Sequence, residues 1–275
     1  MNNLLSVVAG LSVVLAWAGA VAWAQDGGPD EGAVSARLIG ELDAMVPGET
    51  FHLGVRFEIE DGWHMYWKNP GESGAAARVR LSLPDWLEAG EVQWPTPHRL
   101  VLPGDILDYV HDGELTLIVP LKVRADAPVG QTAEVRADLW WLMCDDAVCV
   151  PGSAEATLRA PVGTEAKPSR EARLFALARS RHPVEPPQGA LLASWEGAKL
   201  TLRVPTAASL AFYPDTGVAA RGLVKSGEAS GGRLIVDFDD VPSAPVTGTL
   251  EVREASKRSL FWRVVVEPAA SAPEL

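Results

Sequence analysis

The chain has only two cysteines, Cys144 and Cys149, and they fall close together in Trp140-Trp141-Leu142-Met143-Cys144-Asp145-Asp146-Ala147-Val148-Cys149-Val150-Pro151. A thiol pair at this spacing has three chemical uses: a permanent clip, a couple that cycles between dithiol and disulfide, or part of a metal site. The residues up to Cys144 read as one strand and Ala154–Ala160 as another. The pair therefore flanks a hairpin-like connection, where facing Cα atoms approach within the roughly 4.4–6.8 Å that a disulfide requires. Zinc would need further ligands, and the nearest histidines, His111 and His182, are remote in sequence.

Magnitude separates the other two uses only in part. Closing so short a loop stabilises by about 2 kcal/mol in the chain-entropy model, against nearly 5 kcal/mol for a loop of about 100 residues. A domain of ordinary size builds its core without such help. As a clip the pair is weak, and as a redox couple it is accessible; the residues alone leave both open. Asp138, Asp145 and Asp146 crowd the pair in sequence, and no Lys or Arg occurs between Arg136 and Arg159. Neighbouring carboxylates disfavour thiolate, so the expectation is raised thiol pKa values and a reducing couple that donates or relays electrons.

The elements that must position this pair are strands. Phe51, Leu53, Val55, Phe57 and Ile59 alternate with His52, Gly54, Arg56, Glu58 and Glu60, and the period recurs in Leu115–Val123 and Ala133–Trp141. Such alternation buries one face and wets the other. Val34–Leu42, Ala77–Leu83 and Ala154–Ala160 are shorter candidates. Turn signals at Asp61-Gly62, Asn69-Pro70-Gly71, Pro103-Gly104, Asp112-Gly113 and Pro151-Gly152 separate them. The 25 Gly and 21 Pro fit many short strands. The pattern predicts an all-β chain whose first part, 33–162, is an immunoglobulin-like antiparallel sandwich. Ser169 to His182 changes period: Leu174, Phe175, Leu177 and Ala178 share one helical face, with Ser169 as N-cap and Pro183 as stop. A helix and Pro-rich linker over 163–188 then lead to a second, smaller β domain over 189–268. Its strands are Ala198–Val204, Ser209–Tyr213, Arg233–Phe238, Thr247–Arg253 and Ser259–Val266. Residues 269–275 read as a tail.

Leu4 to Ala24 is an uncharged apolar run ending in Ala22-Trp23-Ala24, followed by the polar stretch Gln25 to Glu31. This reads as a signal peptide over 1–24, with a retained membrane anchor as the alternative. The expectation is an exported chain whose mature part does not span a membrane and whose cysteines meet an oxidising compartment. The net charge of −12 with dispersed Lys and Arg excludes a phosphate-neutralising surface, so no nucleic-acid partner is expected. No phosphate-cradling or dinucleotide-binding glycine motif occurs, and no cofactor or metal is expected.

Three ordered motifs carry a resemblance. Gly62-Trp63-His64-Met65-Tyr66-Trp67-Lys68-Asn69-Pro70-Gly71-Glu72-Ser73-Gly74, then Trp94-Pro95-Thr96-Pro97-His98-Arg99, then Cys144 through Pro151, resemble the periplasmic N-terminal region of thiol:disulfide interchange proteins, the DsbD family and its ScsB-like relatives. Phe212-Tyr213-Pro214 fits the longer relatives. The resemblance implies a periplasmic sandwich in which Cys144 and Cys149 are the catalytic pair, in the thiol chemistry that serves cytochrome c biogenesis. Electrons would arrive from a membrane partner and pass to thioredoxin-like periplasmic proteins. Full-length members continue into a membrane domain and a thioredoxin-like domain with its own C-x-x-C, which this sequence lacks, so a separate membrane electron donor is expected. The cysteine spacing is one residue shorter than in DsbD.

Other residues are read as structure. The Trp63–Trp67 run is core more readily than a docking cap. Trp140 and Trp141 must point to opposite faces of one strand, one into the core and the other toward a surface beside the cysteines. Asp145-Asp146 and Asp239-Asp240 are solvated turns rather than acid–base pairs. The competing function is a non-catalytic β-sandwich binding module in which the disulfide is a passive clip. Exposure of a sulfur decides between the two.

Overall fold

A computed structural model of the chain describes residues 32–268. In chain order the first ten strands are β1 (Val34–Gly40), β2 (Thr50–Ile59), β3 (His64–Gly71), β4 (Arg78–Ser82), β5 (Leu87–Ala89), β6 (His98–Leu102), β7 (Ile106–His111), β8 (Glu114–Val123), β9 (Thr132–Cys144) and β10 (Cys149–Pro161). They form two antiparallel sheets. One runs β1-β2-β8-β5, and the other β10-β9-β3-β7-β6 with β4 also paired to β9.

The two clearest alternations in the sequence turn out to be partners. Phe57 faces Leu115, Val55 faces Leu117, Leu53 faces Val119 and Phe51 faces Leu121 across β2 and β8. All eight are buried, and with Ala133, Val135, Ala137, Leu139, Trp141 and Met143 of β9 they fill the space between the sheets. Aliphatic and aromatic side chains of this size contribute about 1.5–3 kcal/mol each when fully buried, so this stripe outweighs any single polar contact in the fold.

The other face of β2 is not wet throughout. Gly54 and Arg56 are buried as well, because helix α1 (Ala172–Arg179) lies over this sheet. A Cβ on Gly54 would come within 2.9 Å of the Phe175 ring, and Phe175 and Ala178 pack with Ile39 and Ile118. Eight residues do not hold a helix unaided. Burial of Phe175 and Ala178 and the pairing of Arg179 with Glu41 keep it in place. The helix starts later than its sequence suggests. The Ser169 hydroxyl donates to the Gly40 carbonyl of β1 at 2.6 Å and accepts from the Glu171 N–H at 3.0 Å, and Glu171 occupies the N-cap. Leu177, on the expected apolar face, is 55% exposed.

The second body contains β11 (Leu192–Glu196), β12 (Lys199–Arg203), β13 (Ser209–Pro214), helical turn α2 (Leu223–Ser226), β14 (Glu228–Ser230), β15 (Arg233–Asp237), β16 (Val246–Arg253) and β17 (Ser259–Val266). Its sheets, β11-β12-β15 and β14-β13-β16-β17, enclose a separate core of Leu200, Leu202, Phe212, Leu234, Val236, Leu250 and Trp262 among others. The Pro-rich stretch before it is not free: Val184 exchanges two backbone hydrogen bonds with β17, through the Phe261 carbonyl and the Arg263 N–H. The fold is an immunoglobulin-like antiparallel sandwich followed by a helix and a smaller β body. Among the described residues no helix is long and apolar enough to cross a membrane. The signal-peptide reading of 1–24 lies outside the described residues.

Candidate functional site

The last residue of β9 and the first of β10 are direct cross-strand partners, and these are Cys144 and Cys149. They are joined by a disulfide, with Cα atoms 4.1 Å apart. The four-residue connection is self-contained. The Asp145 N–H donates to the Val148 carbonyl at 3.0 Å, and one Asp145 carboxylate oxygen accepts from the N–H groups of Ala147 and Val148, both at 2.7 Å. These backbone donors hold the Asp145 carboxyl below its usual range.

The two sulfurs have different surroundings. Cys144 is only 2% exposed, while Cys149 and the preceding Asp146, Ala147 and Val148 are exposed. Cys144 is packed with Tyr66 and Val110, with Leu100 and Leu142 against the same cluster. Strand β3 reaches it through a short pairing with the end of β9, His64 opposite Cys144 and Met65 opposite Met143. Tyr66 thereby lies over the disulfide. Its hydroxyl donates to Cys144 Sγ at 3.1 Å and is 4.0 Å from Cys149 Sγ; a disulfide sulfur has no proton, so the phenol is the donor.

The phenol is set from behind by the Gly71-Glu72-Ser73-Gly74 turn. Gly74 has φ +74°, and a Cβ there would overlap the Tyr66 ring. Gly71 has φ +95°, and a Cβ there would run into the Leu107 carbonyl. Glycine is required at both places by conformation and by space. Ser73 is held by the fully buried Asp108 carboxylate, which accepts from the Ser73 N–H at 2.8 Å and the Ser73 hydroxyl at 2.5 Å. Burial raises the Tyr66 pKa, with a lowering contribution from the Ser73 hydroxyl and a raising one from Asp108. The phenol therefore stays a proton donor through neutral and moderately alkaline pH.

Three imidazoles lie near. The His64 ring meets Tyr66 edge-on at 5.5 Å, and its Nε2 is buried without a partner. Burial lowers the His64 pKa against the opposing pull of Asp108. Burial likewise lowers His98 and pushes His111 down to about 3. All three are neutral at pH 7.

The carboxylates expected to crowd the sulfurs are arranged differently. Asp138 pairs with Glu155 and Arg80 six positions back along β9, roughly 20 Å from Cys144 at the rise of a strand. Asp145 is engaged by the turn, and Asp146 points to exposed surface. What touches Cys144 is a neutral hydroxyl, so crowding by three carboxylates is not the local electrostatics. Trp141 is buried and meets Phe57 edge-on at 5.5 Å, whereas Trp140 lies on the opposite face beneath the Arg78 guanidinium, 5.0 Å from its ring centroid. Within the aromatic run, Met65, Tyr66 and Trp67 are buried. Tyr66 belongs to the site, whereas the sequence reading favoured core over a docking cap for that run.

A family model described as "Thiol:disulfide interchange protein DsbD, N-terminal" matches residues 35–161. Among solved structures, the N-terminal periplasmic domain of ScsB from Proteus mirabilis is similar, with TM-score 0.53 and 15% identity, covering 86% of this chain and 92% of that one. The reduced N-terminal domain of DsbD from Neisseria meningitidis is also found, with TM-score 0.32 and 20% identity over 52% of this chain and 97% of that one. No curated protein matches.

Proposed function

We propose that this chain, which carries a DsbD/ScsB-like N-terminal domain over residues 35–161, performs thiol–disulfide exchange through Cys144 and Cys149. The observation that carries the reading is the asymmetry of the pair: one exposed cysteine bonded to one buried cysteine that receives a hydrogen bond from Tyr66. A passive clip needs neither exposure nor a donor aimed at its sulfur.

The exchange follows from that asymmetry. A thiolate of a dithiol partner attacks Cys149 Sγ, the accessible end. The Cys144–Cys149 bond breaks, a mixed disulfide forms at Cys149, and Cys144 leaves as a thiolate that the Tyr66 hydroxyl stabilises before it takes up a proton. The partner's second thiolate then attacks its own mixed-disulfide sulfur and releases Cys149 as a thiolate. Two electrons have moved to this chain and the partner is oxidised. Run in reverse, the reduced pair delivers the same two electrons to a disulfide acceptor. The partners are thioredoxin-like proteins and a membrane electron donor of the periplasm. The same reading divides the chain into a redox sandwich over 33–162, a connection over 163–188 and a second β domain over 189–268.

The test is a mixed-disulfide trap in periplasmic extract. Cys144→Ala leaves the exposed Cys149 without its resolving partner and should accumulate covalent adducts with thioredoxin-like proteins, whereas Cys149→Ala should accumulate far fewer. If neither folded variant captures such a protein, the disulfide is a clip and the exchange reading fails.

A further inference from the structure

The ladder between β3 and β7 breaks beside the disulfide. Tyr66 pairs with Val110 and Gly71 with Asp108, so Trp67, Lys68, Asn69 and Pro70 stand opposite the single residue Tyr109. A bulge of this kind loses its ladder partners and re-aims the strand on either side of it. Both of its ends belong to the site. Tyr66 carries the phenol that donates to Cys144 Sγ at 3.1 Å, and Gly71 opens the turn that closes with Gly74 against the Tyr66 ring.

The second β body supplies contacts along the bulge. The Trp67 ring meets Tyr213 edge-on at 6.5 Å. Lys68 pairs with Asp215, and its carbonyl accepts from the Thr216 hydroxyl at 3.2 Å. Asn69 reaches in both directions: its Nδ2 donates to the Pro214 carbonyl at 2.8 Å, and its Oδ1 accepts from the Gly71 N–H at 3.2 Å. A carbonyl only accepts and an N–H only donates, so the two partners fix the orientation of the amide. One side chain thus bridges the second body to the first residue of the turn behind the phenol.

We propose that Asn69 is a positioning residue for Tyr66: by tying the β3 bulge and the start of the Gly71–Gly74 turn to the second β body, it keeps the phenol on Cys144 Sγ. This rests on the exchange reading above and gives the second body a part in it. From the side of β7, the Leu107 carbonyl accepts from the Glu72 N–H and the Asp108 carboxylate holds Ser73, which fixes the later part of the turn. Asn69 fixes its beginning. A hydrogen bond weakens steeply once its donor leaves alignment, so the contact to the sulfur depends on where the bulged strand puts the ring.

The experiment measures reduction of the disulfide by dithiothreitol in the full chain, for the wild type, Asn69→Ala, Tyr66→Phe and the double variant. Asn69→Ala should slow the step at least about threefold, within the factor that one neutral hydrogen bond gives an equilibrium between a placed and a displaced phenol. In the Tyr66→Phe background the same substitution should add nothing, because the hydroxyl it positions is gone. The pH profile of iodoacetamide labelling at Cys144, resolved by mass spectrometry in the reduced chain, is the second readout. The Cys144 thiol should titrate higher in Asn69→Ala, since a displaced phenol no longer stabilises the thiolate. A wild-type reduction rate in folded Asn69→Ala overturns the proposal. So does equal slowing with and without the Tyr66 hydroxyl, or an unmoved Cys144 titration, either of which would assign the effect to packing. Asn69→Asp keeps an acceptor for the Gly71 N–H and loses the donor to Pro214, so it should slow reduction as Asn69→Ala does; a wild-type rate there confines the effect to the turn and overturns the proposal. Should Asn69→Ala not fold, Asn69→Asp carries the same cycle. Dithiothreitol takes the place of a partner protein, so failure of the trap experiment leaves this result readable on its own.

Discussion

Tyr66→Phe removes a polar group that touches the buried sulfur. The phenyl ring keeps its packing against Val110 and beside Gly74, and only the hydroxyl 3.1 Å from Cys144 Sγ is lost. In the disulfide that hydroxyl meets a neutral, weak acceptor; as Cys149 is attacked, charge develops on Cys144 and the same contact becomes charge-assisted. A hydrogen bond to a charged group is worth about 1.5–3 kcal/mol and one to a neutral group about 0.5–1.5 kcal/mol. The differential lost from the transition state is therefore about 1–2 kcal/mol, which slows the step roughly 5- to 30-fold. Stopped-flow reduction by dithiothreitol at pH 7, followed through tryptophan fluorescence, measures this directly, and thermal unfolding of the oxidised form shows that the fold is kept. Equal rates for the variant and the wild type would refute the assignment of Tyr66 to the leaving sulfur. Because burial raises the phenol's own pKa, the ratio of the two rates should stay flat from pH 6 to 9; a ratio that collapses inside that range would point to a different donor.

Two further outcomes test the scaffold. Gly152→Ala places a methyl into the Trp141 indole and should cost about 1–3 kcal/mol by overpacking, read as a lower denaturation midpoint at unchanged slope. His111 is buried neutral with its pKa near 3 in the fold, against about 6.5 in the unfolded chain. The unfolded state therefore binds the extra proton, and stability falls as pH drops below 6.5, by up to about 1.4 kcal/mol per pH unit from this group. Denaturant unfolding between pH 6.5 and 5 should show a slope shallower by that amount in His111→Gln, and an unchanged slope would show that His111 does not set it.

Much of the architecture was legible because it is local. Period-2 alternation marks which face of Phe51–Ile59 and Leu115–Val123 is buried, whatever lies opposite, and the two segments are indeed partners. The disulfide was legible for the same reason, since two cysteines flanking a short turn between strands have nowhere else to meet. Strands β3, β6 and β7 were not read: Pro70, Pro103 and the polar Asp105, Asp108 and His111 break the alternation, and their pairing is set by neighbours distant in sequence. The helix begins two residues later than a Ser169 cap implies, with the Ser169 hydroxyl spanning the Gly40 carbonyl and the Glu171 N–H in the turn ahead of it.

The sequence by itself settles that this chain is built of alternating strands and that its two sulfurs stand across a turn. Nothing in Cys144-Asp145-Asp146-Ala147-Val148-Cys149 says which sulfur meets solvent. That is decided by Tyr66 of β3, whose hydroxyl reaches Cys144, and by Val110 of β7, packed in the same cluster. Packing of segments far apart in the chain makes two identical thiols unequal, because burial and a single donated proton act on a sulfur only where the fold delivers them.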